Sequence, residues 1–487
     1  MMRSIKQLTA CVAAYGLVAL GGTQAAYAAL PLQHWTQPSG VAVYLVESPA
    51  IPMVDVQVDF DAGSRRDPAD QAGLASVMAG MTAKGVRAIA ARAAAQGRPK
   101  QGTAPSGGSE DTLVPSVGAT ALDENALSEA WADLGASFGA SASSDRLSFS
   151  LRSLTYPDLL PKAVALAARQ MGEPAFPADV WVRERARMSA SIREANTRPA
   201  TLAAKAFASA VYGDHPYGYD TTEASLTRIS VQDMQALHGR LLAPCRARVS
   251  VVGAVTRAQA DALVTQLFAR LSEGRSPGTA DCPALPVVPE VAALTQAVDQ
   301  RIAFDSAQAH VLIGQPGYPR KDPDFFALTV GNYILGGGGF VSRLTEEVRE
   351  KRGLSYSVYS YFAPGLHAGA FTLGLQTRPD QVEQAVKVSR DVVASFVAQG
   401  PTAKELKAAK DNLIGGFALR IDNNRKLLDN VANIAWNHLP LDYLDTWTQQ
   451  VERVTLADIR AAFARKLQPD TMVTVVVGGA AAPGAAK

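Results

Sequence analysis

Side chains that do chemistry at neutral pH are scarce in this sequence. Its 487 residues include three cysteines and six histidines. His34, His215, His238, His310, His367 and His438 contain no i, i+4 pair, so no helix offers two imidazoles to one zinc ion. The longest glycine run, Gly336 to Gly339, is not followed by G-K-[ST], which excludes a phosphate loop. Charge is sparse too: charged residues make up 19%, and the formal net charge is +2. Arg3 and Lys6, near the N-terminus, supply that excess. The remainder has no net charge, and so no footprint for nucleic acid or an anionic membrane. Beyond the N-terminal segment no apolar run is long enough to cross a bilayer.

What is present begins with MMRSIKQ, then LTACVAAYGLVALGG, then an A-x-A site at Ala26-Tyr27-Ala28. A basic start, an apolar core and small residues predict a signal peptide over 1–28 and export to a periplasm, the alternative being an uncleaved anchor. The L-T-A-C ending at Cys11 precedes the apolar core and is not read as a lipoprotein box. Cys245 and Cys282 then remain, as a disulfide in an oxidising compartment or as two buried thiols. The length exceeds one ordinary core and predicts two or more domains.

The chain repeats itself. VAVYLVE (41–47) and VDVQVDF (54–60) read as strands, and a turn leads from them into a helix from about Gln71 to Lys84. Asp67-Pro68 recurs as Asp322-Pro323, an offset of 255, and Pro157-Asp158 as Pro379-Asp380, an offset of 222. The stretch 229–254 recurs as 454–479, an offset of 225, both copies carrying a helix capping signature, Ser230-x-x-Asp233 and Thr455-x-x-Asp458. The fall of 33 between the first two offsets places an insertion in the first half, at about 86–118. Its low-complexity run (90–111) lacks apolar content and is expected to be a mobile surface loop. The fold class is therefore α+β: two homologous halves, 29–272 and 297–480, joined by a Pro- and Gly-rich linker (273–296) and followed by a disordered tail (481–487).

The second half contains ILGGGGFVSRLTEEVREKRGLSYSVYSYF (334–362). After the glycines comes a short amphipathic helix with Leu344 and Val348 on one face, then Gly353 as its stop, then a strand signal. Arg349 lies in the last helical turn and Tyr356 just past the reversal, so the two side chains can share a surface. The segment resembles that of the pitrilysin/insulinase-type zinc metallopeptidases, in which an Arg, followed seven residues later by a Tyr, reaches into the active site.

That family also carries H-x-x-E-H on the first-half helix, in a frame like G-L-A-H-x-x-E-H-M-x-x-K-G-T. Here the frame reads Gly73-Leu74-Ala75-Ser76-Val77-Met78-Ala79-Gly80-Met81-Thr82-Ala83-Lys84-Gly85-Val86. Ser76 and Gly80 stand at the histidine positions and Ala79 at the glutamate. The third ligand position is Ser191, although Glu184 upstream is kept. The family's substrate-binding strand corresponds to 135–142, without its Asn. The resemblance implies a clam-shell of two α/β sandwich halves. It also implies a partner role like that of the non-catalytic subunit of mitochondrial processing peptidase and of bacterial heterodimeric relatives. This chain would bind no metal. Zinc would sit in a homologous partner subunit, and Arg349 and Tyr356 would assist peptide hydrolysis in trans, the first toward a backbone carbonyl and the second toward the oxyanion. Gly336, Gly337, Gly338 and Gly339 are either a flexible turn or a weak substrate contact. The alternative function is a peptide-binding or scaffolding homologue with no peptidase partner.

Overall fold

Strands in the first half form where β-branched and aromatic residues cluster: β1 (Gln33–Thr36), β2 (Ala42–Glu47), β3 (Met53–Phe60), β4 (Ser137–Ala142), β5 (Leu147–Leu154) and β6 (Arg248–Gly253). Helices α1 (Leu74–Met81), α2 (Glu124–Asp133), α3 (Leu160–Gly172), α4 (Ala178–Ala195), α5 (Pro199–Tyr212), α6 (Glu223–Arg228), α7 (Val231–Leu241) and α8 (Arg257–Phe268) complete it. The second half comprises β7 (Val298–Ile302), β8 (Ala309–Tyr318), α9 (Phe325–Asn332), β9 (Val358–Phe362), β10 (Gly369–Thr377), α10 (Val382–Gln399), α11 (Ala403–Gly415), α12 (Asn424–Asn437), α13 (Tyr443–Arg453), α14 (Leu456–Lys466) and β11 (Val473–Val477). This computed structural model describes residues 31–88, 120–271, 282 and 284–479. The expected signal peptide, nearly all of the insertion at 86–118, the start of the linker and the tail lie outside the described residues.

The repeat is visible in the sheets. One runs β1-β2-β6-β3-β5-β4 and the other β7-β11-β8-β10-β9. Setting β1 aside, the orders match strand for strand, down to the single parallel pairing in each, β2 with β6 and β7 with β11. Both predicted capping boxes form: Ser230 and Asp233 close the start of α7, and Thr455 and Asp458 that of α14. From Leu32 onward the chain is one compact unit.

The halves are joined by an exchange of helices. α5 leaves the first half and lies on β8 and β11 of the second, where Ala203, Phe207 and Val211 pack on Ala370, Val473, Val475 and Val477. α12, 225 residues later, lies on β6 and β3 of the first, where Leu427, Leu428, Val431 and Ala435 pack on Tyr44, Val46 and Val252. Each large side chain fully buried this way contributes roughly 1.5–3 kcal/mol.

Three local readings are corrected. The helix expected over 71–84 is shorter, Leu74–Met81, because Gly73 takes φ +101° and the Asp67 carboxylate accepts the amides of Gly73 and Ala75. The helix after the glycines is π-helical over Thr345–Glu350, the Lys351 amide reaching the Glu346 carbonyl. The strand SYSVYSYF is regular only over Val358–Phe362; before it the Ser355 hydroxyl bonds to the Ser357 and Gln376 carbonyls instead.

Candidate functional site

α1 and α4 face each other across an open cavity of about 570 Å³. Ser76 and Gly80, one turn apart on α1, and Ser191, on α4, line it together with Lys84, Glu184, Arg187, Trp181 and Met188. The sequence frame thus brings three of the four marked positions to one place. Ala79 is buried among the core residues of the first half. The donor set does not fit zinc: two hydroxyls and a glycine supply neither imidazole, thiolate nor carboxylate. The one carboxylate present is engaged. Glu184 accepts from Arg187 Nη2 at 2.5 Å and Nε at 2.9 Å, and Lys84 Nζ lies 3.2 Å away. Arg187, helped by Lys84 against the cost of burial, holds the Glu184 carboxyl below its usual range. Lys84 is itself bound at 2.6 Å to Glu124, which raises its pKa. Among the described residues no cluster of three or more His, Cys, Asp or Glu could hold a metal ion. A Cβ at Gly80 would meet nothing within 4 Å, so packing does not dictate that glycine.

β4, the counterpart of the family's substrate strand, is the outermost strand of its sheet and leaves one edge unpaired among the described residues.

In the second half Arg349 and Tyr356 come together. The Arg349 guanidinium carbon is 5.0 Å from the centre of the Tyr356 ring and 4.8 Å from that of Phe340, within cation–π range of both. Tyr356 is 81% exposed and Phe340 75%. Phe340 escapes sequence reasoning because it looks like any loop aromatic; its only signal is its place directly after the glycine run. Those glycines are not merely a flexible turn. A Cβ at Gly336 would meet the Ser360 amide at 2.6 Å, and one at Gly338 would meet the Tyr333 carbonyl at 2.6 Å. Gly339 takes φ +61° and turns the chain out to Phe340. The first-half cavity is lined by first-half residues alone, so Arg349 and Tyr356 do not line it.

Cys245 and Cys282 are bonded, with Cα atoms 6.1 Å apart, which decides between the two readings of that pair and ties the linker to the first half. Downstream, the linker enters a polar clasp between the halves. Asp145 accepts from Arg65 Nε, the Tyr217 hydroxyl and the Leu366 amide. Glu290 accepts the Val291 and Ala368 amides and lies 3.4 Å from His367 Nδ1. His215 accepts the Tyr217 amide on Nδ1, which leaves Nε2–H to donate to the Pro289 carbonyl at 3.0 Å. The His215 ring thus caps the short turn Pro216–Gly218 and pins it to the linker.

Comparison with known proteins bears on the family and the fold. The family profile described as "Peptidase M16 inactive domain" matches residues 228–413. An uncharacterised zinc protease of Mycobacterium bovis is 30% identical over 325 residues, 66% of this chain and 72% of that protein. A protein of Helicobacter pylori described as a non-peptidase homolog is 35% identical over 160 residues, 32% of this chain and 36% of its own length. The crystal structure of a peptidase M16 inactive domain from Pseudomonas fluorescens superposes with a TM-score of 0.80 at 33% identity, covering 93% of this chain and 99% of that one.

Proposed function

The chain belongs to the M16 peptidase family as an inactive member, and from that membership we propose that it is the non-zinc-binding subunit of an exported heterodimeric metallopeptidase. One observation carries the reading: Arg349 and Tyr356 are present and adjacent, Tyr356 exposed and Arg349 partly so, whereas Ser76, Gly80 and Ser191 offer no metal ligands. Amide hydrolysis builds negative charge on the carbonyl oxygen. In this reading a homologous partner supplies the metal-activated water, Tyr356 donates its phenol to the developing oxyanion, and Arg349 holds another oxygen of the bound peptide. The unpaired edge of β4 suits an extended peptide. Neither Arg349 nor Tyr356 generates a nucleophile, so the chain assists hydrolysis without performing it.

The test is reconstitution with a subunit that carries H-x-x-E-H. The isolated chain is expected to hold no stoichiometric zinc by elemental analysis and to cleave no peptide. With the partner, Tyr356→Phe is expected to lower kcat by about 10²–10³-fold, the cost of one oxyanion donor. Unchanged turnover would reject the role. The second reading, a peptide-binding scaffold without a peptidase partner, is favoured by the Helicobacter pylori relative described as a non-peptidase homolog. It predicts that the chain purifies from its native host with no zinc-binding homologue attached.

A further inference from the structure

The charges around Arg349 are paired, Arg349 itself most weakly. Arg343 makes two bonds to Glu405, Arg352 is held by Glu347, and Lys351 lies between Glu346 and Glu347. Arg349 approaches Glu350 only through Nε, at 3.4 Å and without a hydrogen bond, and its Nη groups meet no acceptor among the described residues. Yet the side chain is held. The Phe340 and Tyr356 rings both lie against its guanidinium, 4.8 and 5.0 Å from the central carbon, and the side chain is 29% accessible. Val341, 71% exposed, extends the apolar surface beside Phe340. The turn that presents Phe340 is fixed from beneath by the close packing of Gly336 and Gly338.

A guanidinium donates in its own plane. There its parallel N–H groups match the two oxygens of a carboxylate, in the shorter and stronger charge-assisted geometry. Exposed Phe, Tyr and Arg at one spot are also the composition of a binding hot spot.

We propose that Phe340, Arg349 and Tyr356 form a clamp for a peptide carboxylate, with Phe340 as the positioning residue that fixes the guanidinium plane. The acceptor oxygen left open in the functional reading is then a carboxylate, either the C-terminus of the bound peptide or an acidic side chain, and an apolar neighbour of it rests on Phe340 and Val341. The proposal rests on Arg349 and Tyr356 facing the peptide.

The test uses the mature chain and one fluorescently labelled apolar hexapeptide in three forms: free acid, C-terminal amide, and amide with a single internal Glu. In anisotropy titrations the free acid, the Glu-bearing amide or both are expected to bind about tenfold tighter than the plain amide, the scale of one charge-assisted pair. Whichever acidic form binds identifies the source of the carboxylate. Arg349→Gln and Phe340→Ser should each abolish the preference, and Phe340→Tyr should restore it. Phe340 is exposed and Arg349 partly so, and an unchanged Tm confirms that the variants fold. Equal binding of all three peptides, no binding of any, or a preference that survives Phe340→Ser overturns the clamp. If the clamp fails while Tyr356→Phe still slows the reconstituted pair, only the carboxylate assignment falls and the trans role stands.

Discussion

Replacing Ser76 and Gly80 by His and Ser191 by Glu would place three zinc-binding side chains around one cavity. Gly80 has free space for the larger residue, and Ser76 lies one turn away on the same helix. Elemental analysis of the triple variant should find about one zinc per chain, against none in the wild type, and no peptide cleavage, because Ala79 leaves the base position empty. A triple variant without zinc would mean that Lys84 and Arg187 disable the site beyond its missing ligands. At this scale the sequence was informative wherever a side chain sits in the frame of the family it resembles: Ser76, Gly80, Ser191, Arg349 and Tyr356 are legible through that resemblance. Phe340 and Lys84 were not, because their roles come from neighbours distant in the chain. Nothing in the order of residues says that Lys84 meets Glu124 and Glu184.

Elements follow the same division. The strands and capping boxes were readable from local pattern, and the shared offset of 225 paired α7 with α14. Burial is less local: the polar residues Asp55, Gln57 and Asp59 of β3 are buried. α12 lies over them, and Arg152 and Arg146 pair with the two aspartates. The glycine turn is a sharper case. Gly336→Ala must move Ser360 or Leu344, whose atoms lie 2.4–2.7 Å from the new Cβ. Urea unfolding should show a loss of about 1–3 kcal/mol, the cost of overpacking a tight site. Gly339→Ala, with nothing near its Cβ, should suffer only the strain of φ +61°. If Gly336→Ala is neutral, the turn is the loose one that the sequence suggested.

For the whole molecule, the clasp between the halves predicts a pH response. Burial lowers the His215 pKa, with His367 adding to it and the Pro289 carbonyl, Glu290 and Asp145 opposing. Protonating Nδ1 would also break the bond from the Tyr217 amide. A group whose folded pKa is depressed in this way binds protons more readily when unfolded. Its contribution is therefore complete above about 6.5 and is lost as pH falls through the folded value. His310 and His438 are shifted the same way by burial. Asp67, pushed up to about 7 by burial, acts oppositely, so the comparison must be with a variant. Between pH 7.5 and 5 the wild type should lose more Tm than His215→Gln does, and equal losses would dismiss the clasp as the sensor.

The traded helices carry a consequence for origins. Cut in the linker, each piece would expose a bare sheet face and hold a helix with nowhere to lie, so neither should be soluble alone. A primitive single-unit version could have met both needs only by lending its helix to a twin. The present chain keeps that mutual loan within one polypeptide, which leaves one copy of the unit free to change its chemistry while the other preserves its own.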